Sequence, residues 1–184
     1  MWTCSLLNST LRPGCIVVAA RGCMGCYQNY SYFDGDIQEG TRVAEGSPYI
    51  ITRPCLPDPE LSSLIVENAS KLVEDPSLLH AGLHVSAETF YGCQGRSDHL
   101  FQDKNEHLLP LLLSYGVDSM DMETHQLLHL ANRRFLPVKA SAVHIGIVNR
   151  TSDKHVLPIT PDALNRQVLV AGRACLDALV ATSL

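Results

Sequence analysis

Val138-Lys139-Ala140-Ser141-Ala142-Val143-His144-Ile145-Gly146-Ile147-Val148 is the stretch on which the fold turns. Its small and β-branched residues form the longest β-rich run in the chain. That predicts a central strand over 138–148 of the kind buried on both faces of a sheet. Working outward, Asp121 to Arg134 reads as a helix ended by Pro137. On the other side Thr160-Pro161-Asp162 caps a last helix with Leu164, Val168, Ala171, Cys175 and Leu179 as its apolar stripe. Upstream, Asp103 and Glu106 resemble a capping box opening a helix through Leu113, with Pro110 expected to kink it. Leu79 to Ala87 reads as one strand containing Gly82. Asp58-Pro59-Glu60 opens a helix whose face is Leu61, Leu64, Ile65 and Leu72, stopped by Asp75-Pro76. Tyr49 to Arg53 and Cys15 to Ala20 are short strands, and Cys23 to Gly46, rich in Gly, Tyr and Asp, reads as a long loop. Strands alternating with helices define an α/β layered domain.

The chain has 184 residues, enough to bury a core without disulfides or metals. Fourteen basic residues against 19 acidic ones give a net charge of -5, which argues against a nucleic-acid binder. Apolar residues are 46% and charged ones 18%, so disorder is excluded and part of the surface is expected to lie against partners. No basic n-region precedes an apolar run at the amino terminus, and no stretch approaches a spanning helix. The expectation is a cytoplasmic protein with no membrane partner. Its seven cysteines are an odd, scattered set, read as reduced thiols. Cys23-Met24-Gly25-Cys26 has no second pair, and His125 and His129 lack the zincin glutamate because position 126 is Gln. No metal site is expected.

Three clusters carry possible chemistry, each at a predicted strand end. Glu88-Thr89-Phe90-Tyr91-Gly92-Cys93-Gln94-Gly95-Arg96 joins aromatics and glycines to a Gln/Arg pair. A carboxamide matches an N–H beside a C=O, an Arg stabilises charge on a carbonyl oxygen, and an aromatic supplies a wall, a set that suits a nucleobase. The alternative is a surface turn with an incidental Arg. Met120-Asp121-Met122-Glu123-Thr124 reads as a helix start, where acids serve either the helix dipole or vicinal sugar hydroxyls. Val148-Asn149-Arg150-Thr151 is either a strand terminus reaching solvent or a polar rim on the same pocket.

In this order and spacing the clusters resemble the nucleoside phosphorylase superfamily, in its uridine phosphorylase branch. Thr89 to Arg96 is similar to the TFYxGQxR base-binding loop, Gly116 to Glu123 to the GVxxxEME ribose motif, and Ile147 to Thr151 to the VNRT segment. Trp2 to Ser5 followed by Leu11 to Gly14 resembles the tail of the RxGTxG phosphate loop and its following turn. Cys93 replaces the loop glycine, Gly92 its proline, and Asp121 the first glutamate of EME.

The resemblance implies a three-layer α/β fold, a central mixed sheet flanked by helices, with residues 1–184 as one domain lacking the family's N-terminal strands. It implies phosphate attack on the N-glycosidic bond of uridine-type nucleosides, giving uracil and ribose 1-phosphate. Phe90, Gln94, Arg96 and Arg150 would bind the base, Met122 and Glu123 the ribose, and Thr3 the phosphate. Inorganic phosphate is the co-substrate, no cofactor or metal is needed, no residue of the chain is assigned as catalytic, and the assembly is a homo-oligomer built from dimers. The family's phosphate-binding arginine and second glycine-rich loop have no counterpart in the sequence. The alternative is therefore a non-catalytic nucleoside-binding or assembly subunit.

Overall fold

The computed structural model describes residues 2–35, 46–133, 135, 138–151 and 159–182, with the side chains of 34 and 35 outside that description. Along the chain run β1 (Trp2–Leu6), β2 (Ile16–Val18), β3 (Cys23–Gln28), α1 (Tyr30–Gly35), β4 (Tyr49–Ile51), α2 (Pro59–Leu72) and β5 (Leu79–Ala81). Then follow β6 (Leu83–Ala87), α3 (Leu108–Ser114), β7 (Val117–Asp121), α4 (Thr124–Asn132), β8 (Val143–Asn149) and α5 (Pro161–Ala181). The described strands form one eight-stranded mixed sheet in the order β4-β3-β6-β7-β1-β8-β2-β5. It is an α/β fold with helices packed on a mixed sheet.

β8 is shorter than the run that predicts it. Val138 to Ala142 precede the ladder, and Val143 pairs with Val18 while His144 pairs with Val17 and Trp2. β1 lies in the middle of the sheet, parallel to β8 and antiparallel to β7. Trp2 to Ser5, read from sequence as the tail of a phosphate loop, is thus strand. The segment from Cys23, read as loop, begins with β3 and α1; residues 36–45 lie outside the described residues. Cys23 and Cys26 are buried in β3 and all seven thiols are free. Burial holds the Cys23 thiol well above its ordinary range, which fits packing rather than redox work.

Two helix caps follow the sequence. Asp58 Oδ1 accepts the Leu61 N–H at 2.8 Å at the start of α2, and Thr160 Oγ1 accepts the Ala163 N–H at 3.3 Å at the start of α5. α2 and α5 pack on each other over β2 and β8, through Leu61, Ile65, Ala171 and Ala178 against Ile16, Val18 and Val143. Of the expected stripes, Leu72 and Leu179 are exposed; Ala69, a turn before Leu72, and Ala178, next to Leu179, take the buried positions. Two other helices start later than expected. α3 begins at Leu108, with His107 at its cap and no side-chain cap bond, so Pro110 falls in its first turn, where no kink is required. Asp121 closes β7, and α4 starts at Thr124 and ends at Asn132; Arg134 and Pro137 lie outside the described residues. No described helix is long and apolar enough to cross a membrane.

The expected strand Leu79 to Ala87 is two strands at distant places in the sheet. β5 pairs with β2 at one edge, whereas β6 sits between β3 and β7. The break is Gly82. A Cβ there would run into the Asp118 carboxylate and come within 2.7 Å of His80 Nε2. That carboxylate accepts the Leu83 N–H at 3.0 Å and the Asn8 side-chain N–H at 2.8 Å, and His80 Nε2 lies 3.2 Å away. Burial opposes its ionisation, but the adjacent His80 and the bonds from Asn8 and Leu83 outweigh burial and hold its pKa below the ordinary 3.8.

Two outcomes follow for this hinge. Gly82→Ala is expected to cost about 1–3 kcal/mol in urea unfolding, through overpacking against Asp118. The stabilisation from the Asp118 carboxylate is present above the unfolded value of 3.8 and is lost as pH falls through the lower folded value. Thermal midpoints should therefore drop below that pH in the wild type and drop less in Asp118→Asn. An equal acid slope in both proteins would remove Asp118 from this role.

Candidate functional site

β6 carries the chain out of the sheet at Ala87, and the base-loop residues follow as a tight, heavily bonded turn. Glu88 Oε2 accepts the Gln28 N–H at 3.0 Å, tying the turn's entrance to β3. Thr89 Oγ1 accepts the Cys93 N–H at 3.0 Å, opening a 3-10 turn over Gly92–Gln94. Gly95 closes that turn with φ of 63°, and a Cβ there would lie 2.7 Å from Leu109. Only glycine meets both conditions. Buried Asn105 donates to the Gly92 carbonyl at 3.1 Å and the Arg96 carbonyl at 2.7 Å, spanning the turn from beneath. Cys93 is packed in the core with Leu7, Val85, Leu108 and Met120. Sequence reasoning missed Asn105, since a lone Asn in a polar loop has no signature.

The turn brings the four expected base-site residues together. Gln94 is 5% exposed. Arg96 lies over the Phe90 ring at 4.2 Å and reaches Gln94 Oε1 at 3.5 Å. Arg150, just past β8, donates from Nη1 to the Gln94 carbonyl at 2.6 Å, and its own N–H bonds to the Leu6 carbonyl at 2.9 Å. Burial, and then the Arg96 charge, draw the Arg150 pKa down from its ordinary 12.5. Arg96 Nε is buried with no hydrogen-bond partner. The cluster thus holds two cations, a carboxamide and one unused donor. Phe90 is half exposed and borders a cavity of about 500 Å³ with Gln28, Tyr91, Phe101 and Asp103. Gln94, Arg96 and Arg150 are not among the residues that line that cavity.

The remaining expected residues lie toward the other end of β1. Ser5 pairs with Met120, and the ladder between β1 and β7 ends there, so Thr3 on one strand and Met122 on the chain after the other both lie beyond it. Thr3 and Leu6, beside Arg150, are three residues apart, about 10 Å along the strand. Thr3, Met122 and Glu123 are exposed, and Glu123 Oε2 accepts the Met122 N–H at 3.1 Å. Asn149 does not reach solvent: it is buried and donates to the Asn8 and Leu11 carbonyls, both at 2.8 Å.

Asp121 points into the core rather than outward. Its carboxylate accepts from Ser86 Oγ at 2.5 Å, Thr124 Oγ1 at 2.5 Å and the Thr124 N–H at 3.2 Å, with His84 and His144 beside it. Neither histidine stands out in the sequence, because each sits alone in an apolar strand. His125, on α4, is buried, with Nδ1 2.9 Å from Tyr27 Oη and Nε2 3.1 Å from Thr52 Oγ1.

The chain matches the phosphorylase superfamily over residues 3–181 and belongs to it. A structure from work on two uridine phosphorylases of the oomycete Phytophthora capsici superposes with a TM-score of 0.83 at 26% identity, over 100% of this chain and 66% of that one. A uridine phosphorylase of Schistosoma mansoni in complex with thymine gives 0.59 at 19% identity, over 95% and 56%. Isoform 2 from the same organism, in apo form, gives 0.60 at 16%, over 97% and 55%. This chain therefore spans between about half and two thirds of the length of these proteins. Among curated proteins, none matches it.

Asn105→Ala removes both bonds beneath the turn. It should lower stability by about 1 kcal/mol in chemical denaturation, because the Arg96 carbonyl loses its side-chain donor and the Gly92 carbonyl keeps only the Gly95 N–H. An unchanged midpoint would show that the turn holds without it.

Proposed function

We propose that the chain binds uridine-type pyrimidine nucleosides through Phe90, Gln94, Arg96 and Arg150, and serves phosphorolysis of their N-glycosidic bond to uracil and ribose 1-phosphate. The observation that carries this reading is the buried Gln94 flanked by Arg96 and Arg150, with Arg96 Nε lacking a protein partner. Bond cleavage leaves negative charge on the departing base. A carboxamide that reads the N–H and C=O edge, backed by two guanidiniums, stabilises that charge where it develops. The thymine carried by one structural relative is a ligand of this chemical type. Met122 would back the sugar, Glu123 would accept from its hydroxyls and Thr3 would contact phosphate, all toward the other end of β1. The exposed apolar residues Leu169, Leu176 and Val180 of α5 agree with burial in a homo-oligomer.

A second reading, nucleoside binding without catalysis, is favoured by Asp121. Its carboxylate is already taken up by Ser86 and Thr124 and is withdrawn from any sugar.

Both readings require uridine binding, and phosphate-dependent uracil release from the 184-residue chain separates them. Gln94→Leu should weaken uridine binding about 10- to 100-fold by calorimetry, the equivalent of one or two hydrogen bonds. Wild-type affinity in that variant would contradict the assignment of the base site.

A further inference from the structure

The cavity of about 500 Å³ that Phe90 borders lies outside the Gln94, Arg96 and Arg150 cluster, and its lining has a chemistry of its own. Three aromatic side chains reach it, from Phe90, Tyr91 and Phe101. The Phe90 and Tyr91 rings stand with centroids 5.4 Å apart and planes 85° from parallel, which makes a corner. Tyr91 is 64% exposed and Phe101 70%, so two large rings face water unless a ligand covers them. Two acids, Asp98 and Asp103, share the lining, and no Lys, Arg or His is among the lining residues. Arg96 and Lys104 lie over the Phe90 and Tyr32 rings, at 4.2 and 5.0 Å, and neither lines the cavity.

The walls are fixed by the chain itself. The Asp98 carbonyl accepts the Phe101 N–H at 3.1 Å, and Asp98 Oδ1 accepts the Leu100 N–H at 2.8 Å, closing the turn that carries the third ring. Tyr49 Oη donates to the Asp103 carbonyl at 2.6 Å and ties that residue to β4. Asp103 is the informative residue, because its carboxylate receives no hydrogen bond or ion pair from the described residues. Gly92 makes room for it. A Cβ there would come 3.3 Å from Asp103 Oδ1 and 3.0 Å from Tyr49 Oη. Position 92 is also where the base-loop motif has proline, so the space beside Asp103 comes with this chain's departure from that motif.

Aromatic faces attract cations through the ring quadrupole, and a carboxylate beside them supplies the counter-charge. An anionic ligand would meet two acids with no cation between them. A wholly apolar ligand would strip water from a carboxylate and give it no partner. We propose that this cavity binds a small organic cation of the quaternary ammonium class, its methyl groups against Phe90, Tyr91 and Phe101 and its charge facing Asp103. The site stands beside the base-binding turn and does not rest on the nucleoside reading.

The test titrates choline into the whole chain at fixed chloride and follows it by nuclear magnetic resonance. The N-methyl resonance should move upfield in a saturable way, because aromatic rings shield protons held against their faces. The neutral isostere, with carbon in place of the ammonium nitrogen, should bind at least about 10-fold more weakly. Phe101→Ala and Asp103→Asn, neither of which opens the core, should each weaken choline about 3- to 30-fold. Phe101→Ala should leave uridine affinity unchanged. The proposal is overturned by the absence of a saturable shift, by equal affinity for the neutral isostere, or by wild-type choline affinity in both variants. Loss of uridine binding in Phe101→Ala would also overturn it, by making the cavity part of the nucleoside site. Where uridine does not bind at all, the comparison of choline with its isostere on the wild-type chain still decides the proposal.

Discussion

A carboxylate sealed inside a sheet constrains everything around it, and here that carboxylate is Asp121. An unpaired buried charge costs several kcal/mol, so its donors are not optional. Burial alone would favour the neutral acid, but His144, which bonds to it, and the neighbouring His84 outweigh burial and keep the carboxyl well below the usual carboxylate range. The same oxygens hold the Thr124 N–H and hydroxyl, which fixes the first residue of α4, and Ser86 Oγ in turn accepts the His125 N–H at 2.8 Å. Met122 and Glu123 therefore have two anchored ends, the last residue of β7 and the first of α4. The placement of any sugar-binding group there is a consequence of a core interaction.

The base-site turn depends on the sheet in a similar way. Cys93 packs in the core, Asn105 braces the turn from below, and Arg150 bridges it to β1 through Gln94 and Leu6. Gly146 lets this happen, because a Cβ there would meet the Leu6 side chain at 2.5 Å. β1 is thus the ruler of the site. Arg150 stands beside one end of it and Thr3 toward the other, about 10 Å apart along the strand.

Much of this was legible in the sequence, for identifiable reasons. The Asp58 and Thr160 caps are local chemistry, readable from a few residues, and both form as read. The grouping of Phe90, Gln94, Arg96 and Arg150 was legible because three of the four lie in one short segment. What was not legible rests on distant pairing. Trp2 to Leu6 has no clear alternation, and becomes a strand because β7 and β8 offer it open ladders on both sides. Leu79 to Ala87 looks continuous, and only Asp118, 36 positions beyond Gly82, shows why it breaks. The polar core of His84, Asp121 and His144 joins three strands separated by 60 positions, which no local pattern signals.

The central claim is that the donors left over at the turn are there for a base. The direct measurement is a nuclear magnetic resonance titration of the chain with uridine, following the Arg96 Nε–H and the Gln94 side-chain amide. The account predicts that both resonances shift in a saturable way, together with the Arg150 guanidinium. Shifts confined to other parts of the chain, or none at all, would contradict it.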